Sequence, residues 1–122
     1  MKALLMTIVA VSCALTLFFG GIAVAQTTNW MDELSGSVNF YKNRYPTTDN
    51  VPANWQPYLS ELTLMKKAAI RGDQETVRVG MGKWFKMLKD RDGGISPKAA
   101  DELFRIAVLA TPFEEYKISV PK

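Results

Sequence analysis

The feature that most limits the fold of this chain is its N-terminal apolar segment, which divides it into a leader and a small remainder. Lys2 precedes a long apolar run, and the segment ends in Ala-Val-Ala at Ala25. A short basic start, an apolar middle and an A-x-A end are typical of a secretory signal peptide. We therefore predict that residues 1–25 are cleaved off before Gln26 and that the protein works in the periplasm or as a secreted protein.

Two other interpretations of the leader stay open. An uncleaved apolar segment of roughly 20 residues is long enough to span a bilayer and would act as an N-terminal membrane anchor. With only Lys2 to orient that anchor, the domain would still lie outside the cytoplasm. Lipid attachment to Cys13 is the third interpretation, although the three residues before this cysteine lack the leucine that we expect there.

The remainder is small and contains no cysteine. Removal of 25 of the 122 residues leaves 97, which is enough for a single domain over residues 26–122. Cys13 is the only cysteine and leaves with the leader, so no disulfide can form in the remainder. Stability must therefore come from packing, and the three tryptophans Trp30, Trp55 and Trp84 are available as large apolar anchors.

Four segments of the remainder carry apolar residues at helical spacing, which predicts an all-α bundle of about four short helices. Asp73 and Ser96 stand where N-caps are expected, and Pro97 fits a first helical position. We predict that Trp55 and Trp84 are buried anchors of the second and third helices. The four predicted apolar stripes are Trp30, Leu34, Val38, Tyr41 and Tyr45; Trp55, Leu59, Leu62, Met65 and Ala69; Val77, Met81, Trp84 and Leu88; and Ala100, Leu103, Phe104, Ala107 and Val108.

The connections between these segments carry their own signals. Residues 47–53 are polar and interrupted by proline, which predicts a loop. The short junction Gly72-Asp73 predicts an antiparallel hairpin or a sharp corner between the second and third helices. Gly80 and Gly82 lie inside the third helix, where we expect them to mark the close approach of another backbone.

The last ten residues differ from the helical segments. Tyr116, Ile118 and Val120 alternate with Lys117 and Ser119, and this period of two predicts an extended arm over residues 113–122. We expect the three apolar side chains to pack on the domain itself or to add as a strand to the sheet edge of a partner.

The absence of histidine excludes several chemistries. The sequence has no histidine at all, so a Ser-His-Asp triad, a c-type haem motif and a histidine-containing metal site are impossible. We predict no cofactor and no metal. Acidic pairs such as Asp101-Glu102 leave a carboxylate-based hydrolase as a minor alternative, although acids in the first turn of a helix usually serve its dipole.

Charge also restricts the partners. The chain has 15 Lys and Arg against 12 Asp and Glu, which is too small an excess to indicate nucleic-acid binding. The predicted third helix nevertheless concentrates basic residues on the side opposite its apolar stripe. This side is a solvated face or a docking surface for an acidic protein or an anionic membrane surface. The candidate binding residues are Arg78, Lys83, Phe85, Lys86, Lys89, Tyr116, Ile118 and Val120.

These observations favour a non-enzymatic binding or accessory protein that contacts another extracytoplasmic protein. The number of aromatic residues is large for so small a core, and exposed rings are typical of binding surfaces. The alternative is a carrier of a small apolar ligand with a pocket between the helices. An internal cavity would favour the carrier, whereas exposed rings outside a filled core would favour the binding protein.

Overall fold

The computed structural model describes residues 29–122, and this part of the chain is mostly helical, as predicted. The predicted leader and its cleavage site at Ala25 and Gln26 lie outside the described residues. None of the helices in residues 29–122 combines the length and the apolar character that a membrane crossing requires. The elements in chain order are helix α1 (residues 29–44 of the described part), strands β1 (Thr47–Thr48) and β2 (Val51–Pro52), and helices α2 (Gln56–Ile70), α3 (Gln74–Asp90), α4 (Pro97–Ala110) and α5 (Phe113–Tyr116).

Helix α3 is the centre of the fold because it packs against α2, α4 and α5. Trp84 is completely buried and Trp55 is 2% exposed, which confirms both as core anchors. Their indole nitrogens donate hydrogen bonds at 3.1 Å to main-chain carbonyls, Trp84 to Tyr58 and Trp55 to Tyr45. The core is therefore tied together by tryptophan hydrogen bonds as well as by apolar contact.

The predicted N-caps of α3 and α4 are present. The Asp73 carboxylate accepts a hydrogen bond from the main-chain nitrogen of Thr76 at 3.1 Å, and the Ser96 hydroxyl accepts one from Ala99 at 3.5 Å. At the other end of α3, the main-chain nitrogen of Asn54 donates to the carbonyl of Gly93 at 2.8 Å. This bond joins the start of α2 to the turn after α3, so the two helices are antiparallel, as the short junction between them predicts.

The two glycines inside α3 have different surroundings. A Cβ on Gly80 would lie 2.7 Å from both Cγ and Sδ of Met65, so α2 and α3 approach each other closely there. A Cβ on Gly82 would have no heavy atom within 4 Å. Gly80 therefore marks a close contact with a side chain of α2 and not, as predicted, with its backbone. The prediction is wrong for Gly82, which lies on the exposed side of the helix.

The segment predicted as a loop contains a short β-hairpin. Thr47 pairs with Pro52 and Thr48 with Val51, and the two residues between the strands both have positive φ, 52° at Asp49 and 67° at Asn50. Two successive residues with positive φ match the two-residue turns that suit the twist of a hairpin. The loop prediction is wrong for these residues because asparagine and aspartate tolerate the left-handed region better than most residues do.

The C-terminal segment is only partly extended. Its first four residues form α5, and Lys117, the residue after the helix, lies in the left-handed region with φ 55°. The main-chain nitrogen of Ile118 then donates to the carbonyl of Phe113 at 2.9 Å, the bond of a Schellman-type helix end. The predicted extended arm over residues 113–122 is therefore wrong for residues 113–116. Tyr116 and Ile118 are both buried in the core, and the end of α5 lies between them.

Candidate functional site

The candidate site is a groove on the surface between α3, α4 and the last residues of the chain. It has a volume of about 440 Å³ and is open to solvent. We call it the lysine groove because lysines from α3 stand at its edge. Its lining residues are Gly82, Phe85, Lys86, Lys89, Asp90, Phe104, Pro121 and Lys122.

Aromatic rings form the floor of the lysine groove. Phe85, one of the candidate binding residues, is only 3% exposed, so its own ring offers little surface to a partner. Its ring meets that of Phe104 edge to face at a centroid distance of 5.3 Å and stacks on that of Phe113 at 5.8 Å. Edge-to-face and offset arrangements of this kind are favourable for aromatic pairs. Phe85 therefore supports the half-buried Phe104, the ring that a bound molecule could contact.

Lysines from two turns of α3 form the rim. The Lys86 ammonium lies 2.7 Å from the Asp90 carboxylate, and the hydrogen bond and negative charge of that carboxylate raise the pKa of Lys86. The Lys89 ammonium donates a hydrogen bond at 3.1 Å to the main-chain carbonyl of Lys122. Lys89 thus connects α3 to the end of the chain across the groove.

The other two basic candidates lie on α3 outside the lining of the groove. Arg78 pairs with Glu75 at 2.9 Å, and Lys83 pairs with Glu61 of α2 at 3.4 Å. The Arg78–Glu75 pair is exposed, and an exposed ion pair adds at most about 1 kcal/mol to stability. The electrostatic effect of these pairs is to neutralise the face, since three of its four cations have a carboxylate partner. The basic face of α3 is therefore less positive than the sequence suggests. Of its four cations, Lys89 is the one that has no carboxylate side chain as a partner among the described residues.

The three C-terminal candidates differ in accessibility. Tyr116 is 3% exposed and its ring lies 5.8 Å from that of Trp30, while Ile118 is 6% exposed. Val120 is 62% exposed. Tyr116 and Ile118 therefore contribute to the core of their own domain, and Val120 is the member of this group that a partner could reach.

Three of the described carboxylates have structural partners. Asp32 pairs with Lys66 at 2.7 Å, and Asp101 lies 3.8 Å from Arg91. Hydrogen bonds from the side chain and main chain of Thr76 lower the pKa of Asp73, as expected for an N-cap carboxylate. Over residues 29–122, acidic side chains form no cluster of three or more that could hold a metal ion.

A buried tyrosine joins α2 to the end of α3. The Tyr58 hydroxyl lies 2.7 Å from the carbonyl oxygen of Asp92 and 2.9 Å from that of Met87, and it donates its hydrogen to this pair. Burial is the main cause that raises the pKa of Tyr58, and the nearby charges of Asp92 and Asp90 add to it. The neutral phenol is therefore a structural donor that holds the α3 end beside the lysine groove.

Sequence reasoning missed several members of the groove. The sequence predicts that Phe104 lies on an apolar stripe, and no sequence pattern indicates a role for Asp90, Pro121 or Lys122. The contact between Lys89 and Lys122 joins residues 33 positions apart, and no local pattern in the sequence indicates it. The comparisons with known proteins find no protein-family model, curated protein or solved structure that matches this chain.

Proposed function

We propose that this chain is an exported, non-enzymatic binding or accessory protein that acts through protein–protein contacts outside the cytoplasm. The observation that supports this proposal is the lysine groove, in which the half-buried ring of Phe104 lies beside Lys86 and Lys89. An apolar floor with a charged rim is the usual anatomy of a protein-binding surface.

The partner that fits this groove is a segment with an apolar side chain and an adjacent carboxylate. Lys89 has no carboxylate side chain as its partner among the described residues and donates to the main-chain oxygen of Lys122, and a carboxylate is a strong acceptor for an ammonium donor. Lys86 is already paired with Asp90, so it offers less to an incoming acid. Lys89 is therefore the cation that we expect to contact the partner, while Phe104 receives its apolar side chain.

The test compares two charge reversals in equivalent places. Lys89 lies in the last turn of α3, and Lys67 lies in the last turn of α2, away from the lining of the groove. Lys89→Glu and Lys67→Glu make the same change in net charge and the same unfavourable change at a helix C-terminus. Parent and variants would be immobilised and exposed to an extracytoplasmic extract of the native host.

We expect a partner that the parent and Lys67→Glu retain and that Lys89→Glu loses at least tenfold. Equal retention by all three proteins, or no retained protein, would contradict the proposal. Vesicles of anionic phospholipid provide a second probe, because a membrane surface is the other acidic surface that lysines recognise. Binding of the parent to these vesicles, with no retained protein, would replace the protein partner by a membrane surface.

A further inference from the structure

The solvent-facing side of α1 carries a large apolar side chain one turn away from a glycine. Phe40 is 58% exposed, and a Cβ on Gly36 would have no heavy atom within 4 Å. Glycine is unfavourable inside a helix, so we ask what its lack of a side chain allows at this position. Exposed residues at spacings of four and three positions share this side of the helix, which is the spacing of a helix–helix contact. We call this side the α1 face and define it as Asn29, Glu33, Gly36, Phe40 and Asn43.

The α1 face continues onto α4 through two shallow grooves. Ile106 of α4 lines the first groove together with Gly36 and Phe40. Glu33 borders that groove and also the second one, which contains Leu109. Leu109 is 88% exposed, more than any other large apolar residue of the described chain. The α1 face and the edge of α4 thus form one surface on which apolar side chains project into solvent.

The charges beside this apolar surface change sign along α1. Glu33 is exposed near the start of the helix, whereas Lys42 and Arg44 are exposed at its end. Asp32 adds a second acid at the start but is paired with Lys66 of its own chain. Along α1, an acidic start, an apolar middle and a basic end are complementary to the same helix of a second copy that lies in the opposite direction.

We infer that the α1 face binds the α1 face of a second copy of this chain, with the two helices antiparallel. Phe40 of each copy then lies over Gly36 of the other, where the missing side chain leaves room for the ring. In this register Glu33 faces Asn43 of the other copy and lies between its Lys42 and Arg44. A parallel pair would instead oppose like charges at both ends, which is unfavourable.

The small size of this surface indicates a weak association. The described part of α1 has 16 residues and is therefore about 24 Å long at 1.5 Å per residue. One such helix with the edge of α4 is smaller than the roughly 800 Å² per partner of a typical stable interface. The expected dimer is weak, with a dissociation constant in the range of about 10–100 μM.

Sedimentation and light scattering of the isolated protein over about 10 μM to 1 mM bracket that dissociation constant. We expect the apparent mass to rise towards twice the monomer mass for the parent and to stay at the monomer mass for Phe40→Asp. Leu64→Asp is the matched control, because Leu64 lies on α2 and is 57% exposed. Gly36→Leu should abolish association while it raises the melting temperature, since it fills the gap and favours the helix. A monomeric parent at the highest concentration, or equal association of Phe40→Asp and the parent, would overturn the inference.

Exchange of the charges tests the antiparallel direction. Glu33→Lys and the double variant Lys42→Glu/Arg44→Glu should each associate less than the parent, because each brings like charges together in its own dimer. An equal mixture of the two variants should associate at least as well as the parent, since both ends of the mixed dimer are complementary. A mixture as weak as its components would refute the antiparallel pair. None of these residues lines the lysine groove, so partner binding there is a separate outcome.

Discussion

Replacement of Gly80 by alanine tests how closely α2 and α3 pack. Alanine favours a helix by about 1 kcal/mol over glycine, so this substitution would be stabilising in an exposed helix. At position 80 the added Cβ would lie 2.7 Å from Cγ and Sδ of Met65. Met65 is 1% exposed and cannot move its side chain into solvent without leaving the core. The substitution therefore combines a gain in helix propensity with overpacking of a buried contact.

The balance of these two effects fixes the expected sign. Overpacking in a filled core costs about 1–3 kcal/mol, which exceeds the gain in propensity, so Gly80→Ala should destabilise the domain by about 0–2 kcal/mol. Gly82→Ala is the matched control, because it lies two residues further along the same helix and its Cβ would meet open space. It should gain about 1 kcal/mol. The difference between the two variants measures the packing conflict alone.

Thermal and urea denaturation followed by circular dichroism measure both variants under the same conditions. A change of 1 kcal/mol shifts the melting temperature of a domain of this size by about 4–8 °C. We expect Gly82→Ala to melt at least about 4 °C above Gly80→Ala. Equal stability of the two variants, or a more stable Gly80→Ala, would refute the close approach of the helices at Met65.

Three further predictions follow from contacts that hold the end of α3 and the C-terminal residues in place. Tyr58→Phe removes the buried donor to two main-chain carbonyls and should cost about 1–3 kcal/mol in urea unfolding. Because folding raises the pKa of Tyr58, its contribution is fully present below about pH 10 and is lost as the pH rises above that value, so the parent should lose stability there more steeply than Tyr58→Phe does. Ile118→Ala should cost about 2–5 kcal/mol, against less than about 0.5 kcal/mol for the exposed Val120→Ala, and equal melting temperatures would show that the tail is not docked. Gly93→Ala should be strongly destabilising, with a melting temperature below that of the parent, because φ is +83° and the new Cβ would overlap the carbonyl of Asn54.

The helices and their anchors could be predicted from the sequence because their signals are local. Apolar spacing placed Trp84 on a buried stripe, and Asp73 and Ser96 cap the helices that they were predicted to cap. Phe85 could not be assigned in the same way. Helix α3 packs against α2 and also against α4 and α5, so its buried side is wider than a single stripe and includes the residue beside Trp84.

The candidate site was harder to predict because it depends on contacts between distant residues. The basic residues of α3 were recognised, but the neutralising partner of Lys83 comes from α2. The wall opposite Lys89 comes from the last residue of the described chain. The prediction is wrong for residues 113–116 because apolar and polar residues also alternate in sequence around the end of a short helix. From the sequence alone, this alternation cannot be distinguished from that of a strand. Local sequence patterns do not indicate which residues from distant parts of the chain contact each other.

Binding of a ligand in the lysine groove depends on the position of the C-terminal residues. Pro121 and Lys122 are part of its wall, so the complete groove exists only in molecules whose tail is docked. For a ligand that needs both walls, the apparent affinity is the intrinsic affinity multiplied by the fraction of molecules whose tail is docked. A tail docked one tenth of the time would therefore weaken binding about tenfold. By reciprocity, a bound ligand must hold the tail in place to the same extent. Slower amide hydrogen exchange at Ile118 in the presence of ligand would report this linkage, which couples recognition at α3 to local opening of the chain end.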